Sequence, residues 1–458
     1  MDKVPFYFQS IDFKRLVAEY PPAPDFFQGV FKSPPEEIRA LQQRRMVDAV
    51  RRAWRVPFYH RRWKEAGLEP GDIRSLEDIR KLPAYTVDDI RRSVEEHPPF
   101  GDYVGLNPRA GEVPLRIHSS GGTTGEPRPT FYAPWDREVG NILRARSYYF
   151  HGLRPGDMVM NTLLYSTHNG AFSVHEALWY WLGCTPVSTS AGVVTRSRRA
   201  LEIAKKWEVN AIIGFPEYLL HLAQEAREMG IDLKLKVIDS FGRSDLVRQA
   251  WGVPAYDTYG MHEIQTISSE CPHGGGLHIW EDAFVVEVVD PETGRPVQPG
   301  QVGSIVVTAL YKDAYPVIRY DTKDLTRLRP LGQCQCGGWM QKMDPILGRA
   351  DLMVKLRGIN IWPEGVGAIL AGDPRLTGEY YCIVERVSDR EEMSVLTEHK
   401  PDITSLEALQ RELEETLRAK LGVKIGVKAV EPGSLAPLTG QGVLPKARRL
   451  EDRRKASR

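Results

Sequence analysis

Cysteine, net charge and long apolar runs are all scarce in this chain of 458 residues. Five cysteines are too few for the disulfide framework of a secreted protein of this length. The 61 Lys and Arg residues balance the 60 Asp and Glu residues, so no overall field favours nucleic acid or an anionic membrane. No apolar run approaches a membrane span, and the N-terminus lacks the apolar segment of a signal peptide. We therefore expect a cytoplasmic enzyme without a nucleic-acid or membrane partner.

The most informative stretch is a polar run without a hydrophobic side chain. Residues 119–128 read Ser-Ser-Gly-Gly-Thr-Thr-Gly-Glu-Pro-Arg. Glycines let backbone N–H groups turn toward a bound group and hydroxyls add donors, which is how proteins cradle phosphate. Short strand patterns flank the run, whereas a Walker loop or a dinucleotide fingerprint opens a helix. We expect a phosphate-binding loop between two strands, and a disordered linker is the alternative.

Strand and helix patterns alternate through the middle of the chain. This alternation predicts a doubly wound parallel sheet with helices on both faces. From residue 284 to residue 329, strand patterns follow one another without helix patterns between them, which predicts an appended β-rich subdomain. The candidate strands of the sheet are 157–165, 185–188, 209–215, 236–241 and 255–259, the helices between them are 171–181, 197–207, 216–229 and 245–252, and the later strands are 284–289, 303–310 and 325–329.

A small second domain is predicted after the sequence Gly-Arg-Ala-Asp at 348–351. It contains a candidate hairpin, a helix from Ile403 with five leucines on one stripe, and a strand at 426–430. The expected fold class is therefore α/β, with a large N-terminal domain of residues 1–348 and a small mobile α+β C-terminal domain of residues 349–458. The tail from Ala447 onward is basic, and we expect it to be solvated.

Five motifs in this order make the chain similar to the phenylacetate–CoA ligases, the aryl-CoA ligases of the AMP-forming acyl-adenylating superfamily. Each motif alone is weak evidence, and their order and spacing carry a resemblance that covers nearly the whole chain. It implies ATP-dependent activation of an aromatic carboxylic acid to an acyl-AMP, then transfer to the thiol of coenzyme A. The motifs are the polar run, Asp-Thr-Tyr-Gly-Met-His-Glu at 257–263, Gly-Leu-His-Ile-Trp-Glu-Asp at 276–282, Pro-Val-Ile-Arg-Tyr-Asp-Thr-Lys-Asp-Leu at 316–325, and Gly-Arg-Ala-Asp at 348–351.

The resemblance implies which residues bind ATP and Mg²⁺. The polar run is expected to enclose the β- and γ-phosphates, with the hydroxyl of Thr123 donating and Arg128 supplying positive charge. Glu263 is the expected Mg²⁺ ligand, and Tyr259 is expected to offer a flat face to adenine. Asp324 is expected to accept hydrogen bonds from the ribose hydroxyls. The other expected nucleotide contacts are Ser119, Ser120, Gly121, Gly122, Thr124, Gly125, Asp257 and Gly260.

The resemblance also implies two half-reactions separated by a rotation of the small domain. Asp351 is the expected hinge, and Arg349 is expected to contact the nucleotide just before it. Lys446 is the expected catalytic cation that bridges the substrate carboxylate and the α-phosphate, with a solvated residue of a basic tail as the alternative. The chain departs from the family pattern at Arg128, Leu352 and Pro445, which leaves open a non-catalytic protein that binds AMP or an acyl-adenylate.

Three thiols and two imidazoles form two clusters in the sequence. Two clusters of close ligands separated by a long loop are typical of a structural zinc site with four protein ligands and no open position. Cys271, Cys334 and Cys336 are the expected ligands of Zn²⁺, and His278 is preferred over His273 as the fourth. Reduced surface thiols are the alternative.

A pocket for the acid is expected between the helix that starts near Ala171 and the strand that ends at Phe215. Aromatic side chains there would suit stacking on a flat ring. The sequence does not distinguish one aromatic acid from another, nor coenzyme A from a carrier-protein thiol or an amine as the acceptor. A homodimer is also left open. The candidate pocket residues are Tyr165, His168, Asn169, Gly170, Phe215 and Gly242.

Overall fold

The computed structural model describes residues 4–120, 128–357, 359–387, 390–401, 403, 405–440 and 447–454. The chain divides into two compact units, which we call the first unit (Met1–Thr322 and Thr326–Pro345) and the second unit (Lys323–Leu325 and Ile346–Arg458). Both contain helices and strands, so the α/β class predicted from the sequence is confirmed. Among the described residues, no helix is both long and apolar enough to cross a membrane.

Helices make up the described chain before the polar run. Proline occupies the first position of α4 and of α5, where the backbone N–H that it lacks has no helical partner in any case. Thr86 and Asp89 cap α6 reciprocally, which is the capping box that starts a helix. The bounds are α1 (Phe6–Gln9), α2 (Phe13–Glu19), α3 (Ala23–Gln28), α4 (Pro35–Ala53), α5 (Pro57–Glu65) and α6 (Val87–Glu96).

Two antiparallel strands flank the polar run, as the sequence predicts. They are β1 (Arg116–Ser120) and β2 (Arg128–Tyr132), and residues 121–127 between them lie outside the described residues. The helix α7 (Pro134–Phe150) follows β2 and is buried along most of its length.

The parallel sheet predicted from the alternating patterns is present in the first unit. Its parallel strands run in the order β4, β3, β5, β6, β7. Val159 and Ile213 pack toward α7 and α8, while Met160 and Ile212 pack toward α9 and α10, so helices cover both faces. The bounds are β3 (Met158–Asn161), α8 (Gly170–Glu176), β4 (Thr185–Ser188), α9 (Ser197–Lys206), β5 (Ala211–Gly214), α10 (Pro216–Glu228), β6 (Val237–Ser240), α11 (Ser244–Trp251) and β7 (Ala255–Met261).

Three antiparallel strands extend this sheet beyond β7, so the complete sheet is mixed. They are β8 (Gln265–Glu270), β9 (Leu277–Ile279) and the short β13 (Lys342–Met343). Between β9 and β13 the chain forms three strands of another sheet, β10 (Phe284–Val289), β11 (Gly303–Ala309) and β12 (Tyr320–Thr326). Most of β8 is polar yet buried, so it lacks the apolar period that marks a strand. β10 and β11 pair antiparallel as the predicted β-rich part, whereas β12 begins five residues before the predicted strand.

The second unit has its own hydrophobic core and a sheet in the order β19, β18, β17, β20. Leu409, Leu413 and Leu417 bury the predicted leucine stripe, and Leu406 at the start of the helix stays exposed. The bounds are β14 (Gly348–Arg349), β15 (Val354–Leu356), β16 (Ile359–Ile361), α12 (Pro363–Ala371), β17 (Leu376–Val387), β18 (Arg390–His399), α13 (Leu406–Leu421), β19 (Gly426–Val430), α14 (Ala436–Thr439) and β20 (Leu450–Asp452).

The expectation of a solvated tail is wrong for the residues that the structure describes beyond 446. β20 pairs in parallel with β17, and the Arg449 guanidinium forms an ion pair of 2.7 Å with Glu379 in which both side chains are about nine-tenths buried. The prediction was based on the many basic residues of this segment, and a count of charges does not reveal that its backbone pairs with another strand.

Candidate active site and candidate metal centre

Several predicted site residues meet at the carboxyl ends of the parallel strands. Tyr165 follows β3, Phe215 follows β5 and Gly242 follows β6, while Tyr259 lies near the end of β7. β3, β5, β6 and β7 are neighbours in the sheet, so these loops adjoin one another. Open α/β sheets bind ligands at this edge, where loops and helix N-termini converge.

Arg128, at the start of β2, lies close to Glu263, just after β7. Arg128 Nη1 lies 3.4 Å from Glu263 Oε1, and the two side chains are 18% and 6% exposed. The hydroxyl of Tyr132 donates to the carbonyl oxygen of His262 at 2.5 Å, which ties β2 to the backbone beside Glu263. The structure thus places the expected phosphate-binding cation beside the expected Mg²⁺ ligand.

The described start of the polar run is hydrogen-bonded to the loop after β3, which carries the predicted acid-pocket residues Tyr165 and His168. The backbone N–H of Ser119 donates to the carbonyl oxygen of Thr167 at 2.9 Å, and Ser120 ends β1. The remaining predicted residues of the run, and the predicted catalytic lysine, lie outside the described residues, and their roles stay predictions; they are Gly121, Gly122, Thr123, Thr124, Gly125 and Lys446.

Asp257 organises the turn after β6. Its Oδ1 accepts a hydrogen bond of 2.7 Å from the backbone N–H of Gly242, whose φ of 104° suits glycine. Burial, and the neighbouring carboxylate of Glu270, raise the pKa of Asp257 to about 7. Tyr259 is largely buried, and a side chain at Gly260 would collide with the carbonyl oxygen of Gln265. These residues therefore shape the edge of the sheet.

The predicted acid-pocket residues follow three neighbouring strands, β3, β5 and β6. The hydroxyl of Tyr165 hydrogen-bonds the side chains of Asn161, His175 and Ser188 at 3.1, 3.2 and 2.7 Å. Its ring meets Phe172 edge to face at 5.1 Å, and the ring of Phe215 lies 5.3 Å from that of Phe241. Aromatic surfaces of this kind suit a flat acid.

Asn169 and Gly170 start α8, and the side chain of Asn169 is occupied. It is buried and accepts a hydrogen bond from Arg137. Glu176, at the other end of α8, pairs with Arg137 at 2.5 Å and with Arg116 at 2.6 Å. These charged groups border a cavity of about 430 Å³ lined by Tyr7, Phe8, Pro114, Leu115, Arg116, Tyr132, Arg137, Glu176 and Tyr180. Sequence reasoning missed this network because its members are far apart in the chain.

Three histidines form a further cluster in the site, and the sequence assigned a role to His168 alone. The ring centroids of His118 and His168 lie 6.2 and 6.1 Å from that of His262. Burial is the main cause that lowers the pKa of His118 to about 4 and that of His262 to about 3. Both imidazoles are therefore neutral near pH 7. The signal that could have revealed His118 is its position directly before the polar run.

Lys312 and Asp136 are buried near β2 and interact electrostatically with each other. Lys312 is 2% exposed, donates to the carbonyl oxygen of Phe131 at 3.1 Å and lies 3.5 Å from the centroid of the Tyr132 ring. Burial lowers the pKa of Lys312 and raises that of Asp136, which accepts backbone hydrogen bonds at 2.8 and 3.0 Å. Nothing in the sequence distinguishes this lysine from a surface lysine.

In the second unit, the guanidinium of Arg349 contacts two other predicted residues, Asp324 and Asp351. Arg349 Nη1 lies 2.9 Å from Asp324 Oδ1, and its Nε and Nη2 donate to Asp351 at 2.9 and 2.7 Å. β12 and β14 place Asp324 directly opposite Arg349. The expected ribose carboxylate, nucleotide contact and hinge carboxylate are thus neighbours.

The predicted metal ligands converge in the first unit. One ligand atom from each of Cys271, His278, Cys334 and Cys336 lies within 4.8 Å of all the others, and His273 is not in the group. Cys271 Sγ is 3.5 Å from Cys334 Sγ, and His278 Nε2 is 3.3 Å from Cys336 Sγ. Three thiols and one imidazole are a ligand set that zinc accepts in tetrahedral structural sites.

The surroundings of the cluster suit metal binding. His278 Nδ1 donates to the carbonyl oxygen of Met340 at 3.0 Å, which leaves Nε2 as a lone-pair ligand. A hydrogen bond from the Cys271 thiol lowers the pKa of Cys336, and the thiolate is the ligand form. Lys342, paired with His278 across β13 and β9, places its ammonium 3.3 Å from Cys334 Sγ.

Comparison with known proteins decides the family. The AMP-binding enzyme C-terminal domain matches residues 358–454. The chain is 32% identical over 452 residues to the phenylacetate–coenzyme A ligase of Aromatoleum evansii, covering 94% of this chain and 98% of that protein. It is 35% identical over 455 residues to the Thermus thermophilus phenylacetate–coenzyme A ligase, covering 92% and 98%. The chain belongs to the phenylacetate–CoA ligase family. The resemblance inferred from the motifs, and with it the class of acid–thiol ligase, is confirmed.

Solved structures agree with this family assignment. A 2-hydroxyisobutyryl-CoA ligase in the postadenylation state, in complex with R3-HIB-AMP, matches with a TM-score of 0.82 and 28% identity, covering 93% of this chain and 91% of that one. An anthranilate–CoA ligase in complex with anthranoyl-AMP matches with a TM-score of 0.54 at 18% identity, covering 69% and 62%. The second likeness concerns the fold alone.

Proposed function

We propose that this chain uses ATP to convert a small aromatic carboxylic acid to an acyl-AMP, and then transfers the acyl group to the thiol of coenzyme A. AMP and pyrophosphate are the other products. The observation that carries this proposal is the 32% and 35% identity to two phenylacetate–coenzyme A ligases. The alignments extend over nearly the full length of the chain and so include both units.

In the first half-reaction, a carboxylate oxygen of the acid attacks the α-phosphorus of ATP and pyrophosphate leaves. Glu263 is the proposed Mg²⁺ ligand, since a carboxylate oxygen suits a hard cation. Arg128, 3.4 Å from Glu263, is proposed to act on the same phosphates. The hydroxyl of Thr123 and the amides of the polar run are proposed to donate to the departing pyrophosphate.

Residues of the second unit are proposed to hold the rest of the nucleotide and to control the second half-reaction. Asp324 accepts from the ribose hydroxyls, and Arg349 contacts the nucleotide. Asp351 is the hinge of the proposed mobile domain, residues 349–458, which follows the proposed adenylate-forming domain, residues 1–348. Lys446 bridges the substrate carboxylate and the α-phosphate as charge develops there.

We propose a structural role for a zinc ion held by the four-residue cluster Cys271, His278, Cys334 and Cys336. Four protein ligands leave no open coordination position for a substrate. The ion would therefore stabilise the irregular backbone around the cluster and take no part in the reaction. The loop around Cys334 supports this role because its turn is closed by the hydrogen bonds Gly337 N to Cys334 O, 2.8 Å, and Cys334 N to Gly338 O, 2.9 Å. Because ATP and coenzyme A are the proposed co-substrates, we also propose a cytoplasmic location.

The experiment that tests the function is a panel of aromatic acids in ATP–pyrophosphate exchange, run with and without coenzyme A, with products identified by mass. We expect acid-dependent exchange, and an acyl-CoA product when coenzyme A is present. Lys446→Ala should abolish exchange, while Lys428→Ala, at an exposed lysine of β19, should not. Exchange without any acyl-CoA would favour a carrier thiol or an amine as acceptor. AMP binding without exchange would favour a non-catalytic protein.

A further inference from the structure

His118 lies between the polar run and the loop that carries the acid-pocket candidates. It is 3% exposed, although its neighbour Ile117 on β1 is 53% exposed, so its side chain faces inward. Its ring centroid lies 5.8 Å from that of Phe172 and 6.2 Å from that of His262. Phe172 in turn packs against Tyr165. The imidazole therefore lies beside the predicted acid-pocket residue Tyr165 and directly before the predicted phosphate-binding run.

The hydrogen bonding of this imidazole fixes which nitrogen carries the proton. Nδ1 of His118 is 3.2 Å from the carbonyl oxygen of Thr167. A carbonyl oxygen only accepts hydrogen bonds, so Nδ1 holds the proton of the neutral ring. Burial, and then the charges of Arg137 and Arg116, lower the pKa of His118 to about 4, which keeps the ring neutral near pH 7. Nε2 is consequently a lone-pair acceptor.

This acceptor has no partner among the residues that the structure describes. Nε2 of His118 is buried and makes no hydrogen bond with them. Leaving a buried polar atom unsatisfied costs about 1–3 kcal/mol, so a bound group that donates to it would gain affinity. The proposed reaction supplies few such donors at this place. Phosphate oxygens and the carboxylate of the acid only accept, and a thiol is a weak donor.

We infer that the acid activated by this chain carries a hydrogen-bond donor of its own, a hydroxyl or an amino group, which donates to Nε2 of His118. This inference rests on the proposed function and specifies its substrate class. The aromatic rings of Tyr165 and Phe172, 5.1 Å apart and edge to face, provide the apolar wall for the rest of the acid. His118 would then be a residue that determines specificity through direct contact with the substrate.

The expected discrimination follows from the energy of one neutral hydrogen bond at a buried acceptor. A site that must hydrogen-bond a substituent rejects the analogue that lacks it, because the acceptor is then left unsatisfied. The cost of about 1–3 kcal/mol corresponds to a preference of about 5- to 150-fold in kcat/KM. A methyl ether of the same acid keeps the oxygen and loses the donor, so it is the matched comparison.

The test measures kcat/KM for acid-dependent pyrophosphate exchange with phenylacetate, its ring-hydroxylated and ring-amino derivatives, mandelate, and the corresponding methyl ethers. We expect at least one hydroxylated acid to exceed both its methyl ether and the unsubstituted parent, or one aminated acid to exceed the unsubstituted parent, by about 5- to 150-fold. His118→Phe should abolish this ratio. His118→Gln, whose side-chain oxygen can accept, should retain part of it. AMP binding and the melting temperature report whether each variant is folded.

The outcomes separate this inference from the proposed function. Exchange with the unsubstituted parent as efficient as with every donor-bearing acid would overturn the inference and leave the function standing. A preference that survives in folded His118→Phe would also overturn it. If His118→Phe does not fold, the comparison of matched acids in the wild-type chain decides. If none of the acids supports pyrophosphate exchange, both the inference and the proposed function are overturned.

Discussion

His278 donates from Nδ1 to the carbonyl oxygen of Met340 at 3.0 Å and thereby turns Nε2 toward Cys336 Sγ, 3.3 Å away. This is how a protein fixes the tautomer of a metal-binding imidazole. We predict that the purified chain contains about one zinc ion and that Cys336→Ser loses it and lowers the melting temperature. The measurement is zinc content by mass spectrometry, paired with thermal unfolding.

Cys184→Ser is the matched control for the zinc prediction. Cys184 is buried, and its Sγ donates to the carbonyl oxygen of Arg154 at 3.3 Å, away from the four-residue cluster. It should keep its zinc even if burial of a hydroxyl costs stability. Equal zinc content in Cys336→Ser and wild type would contradict the proposed centre.

The motif Trp-Glu-Asp at 280–282 contributes to stability through Asp282. Arg146 Nη1 lies 3.0 and 2.9 Å from its two oxygens, and the side chains are 0% and 1% exposed. We predict that Arg146→Met lowers the free energy of unfolding by about 3–5 kcal/mol, because it leaves a buried carboxylate without its main partner. Urea unfolding measures this. Arg198→Met, which breaks an exposed pair, should cost no more than about 1 kcal/mol, and equal losses would refute the account.

Asp257 makes stability depend on pH in a defined direction. Its pKa is raised from 3.8 to about 7, so the native state keeps a proton that the unfolded state loses above pH 3.8. Its contribution is therefore fully present below that value and is lost as pH rises through about 7.

We predict that the unfolding free energy of Asp257→Asn minus that of wild type increases between about pH 4 and 7, by at most about 1.4 kcal/mol per unit. Denaturant titrations at several pH values measure it. A flat difference for Asp257→Asn would mean that its carboxyl is ionised in the native state throughout.

Glu263→Gln should lower acid-dependent pyrophosphate exchange by about 100-fold or more, since removing one electrostatic contact to the reacting groups typically costs that much. The requirement for Mg²⁺ should shift to higher concentrations, because an amide is a poorer ligand than a carboxylate. Glu95→Gln, at an exposed residue of α6, provides the control. An unchanged Mg²⁺ dependence in Glu263→Gln would remove Glu263 from the metal site.

Local sequence signals predicted those elements whose residues follow a simple rule. The bounds of β10 and β19 match their predicted ranges, because both strands carry regular apolar patterns between clear turns. Thiol and imidazole types likewise indicated the four-residue cluster Cys271, His278, Cys334 and Cys336 without any knowledge of the fold. β8 escaped prediction because Gln265, Thr266 and Ser268 are polar residues buried in a sheet.

The contacts of the site depended on long-range folding. Glu263 and Arg128 were each assigned from a motif, yet their approach to 3.4 Å joins residues 135 positions apart. The acceptor character of His118 depends on the carbonyl oxygen of Thr167, 49 positions away, and no residue type or spacing reveals it. A sequence pattern indicates which side chains can react, whereas the partner that sets a proton on one nitrogen is known only from the fold.

The polar run is proposed to serve the first half-reaction and not the second. Thr123→Val and Gly122→Val should each abolish acyl-AMP formation in single-turnover assays, because they remove a phosphate donor or fill the space that phosphate needs. Both variants should still form acyl-CoA from supplied acyl-AMP and coenzyme A at close to the wild-type rate. Equal loss of both half-reactions would contradict the claim and make the run a structural element.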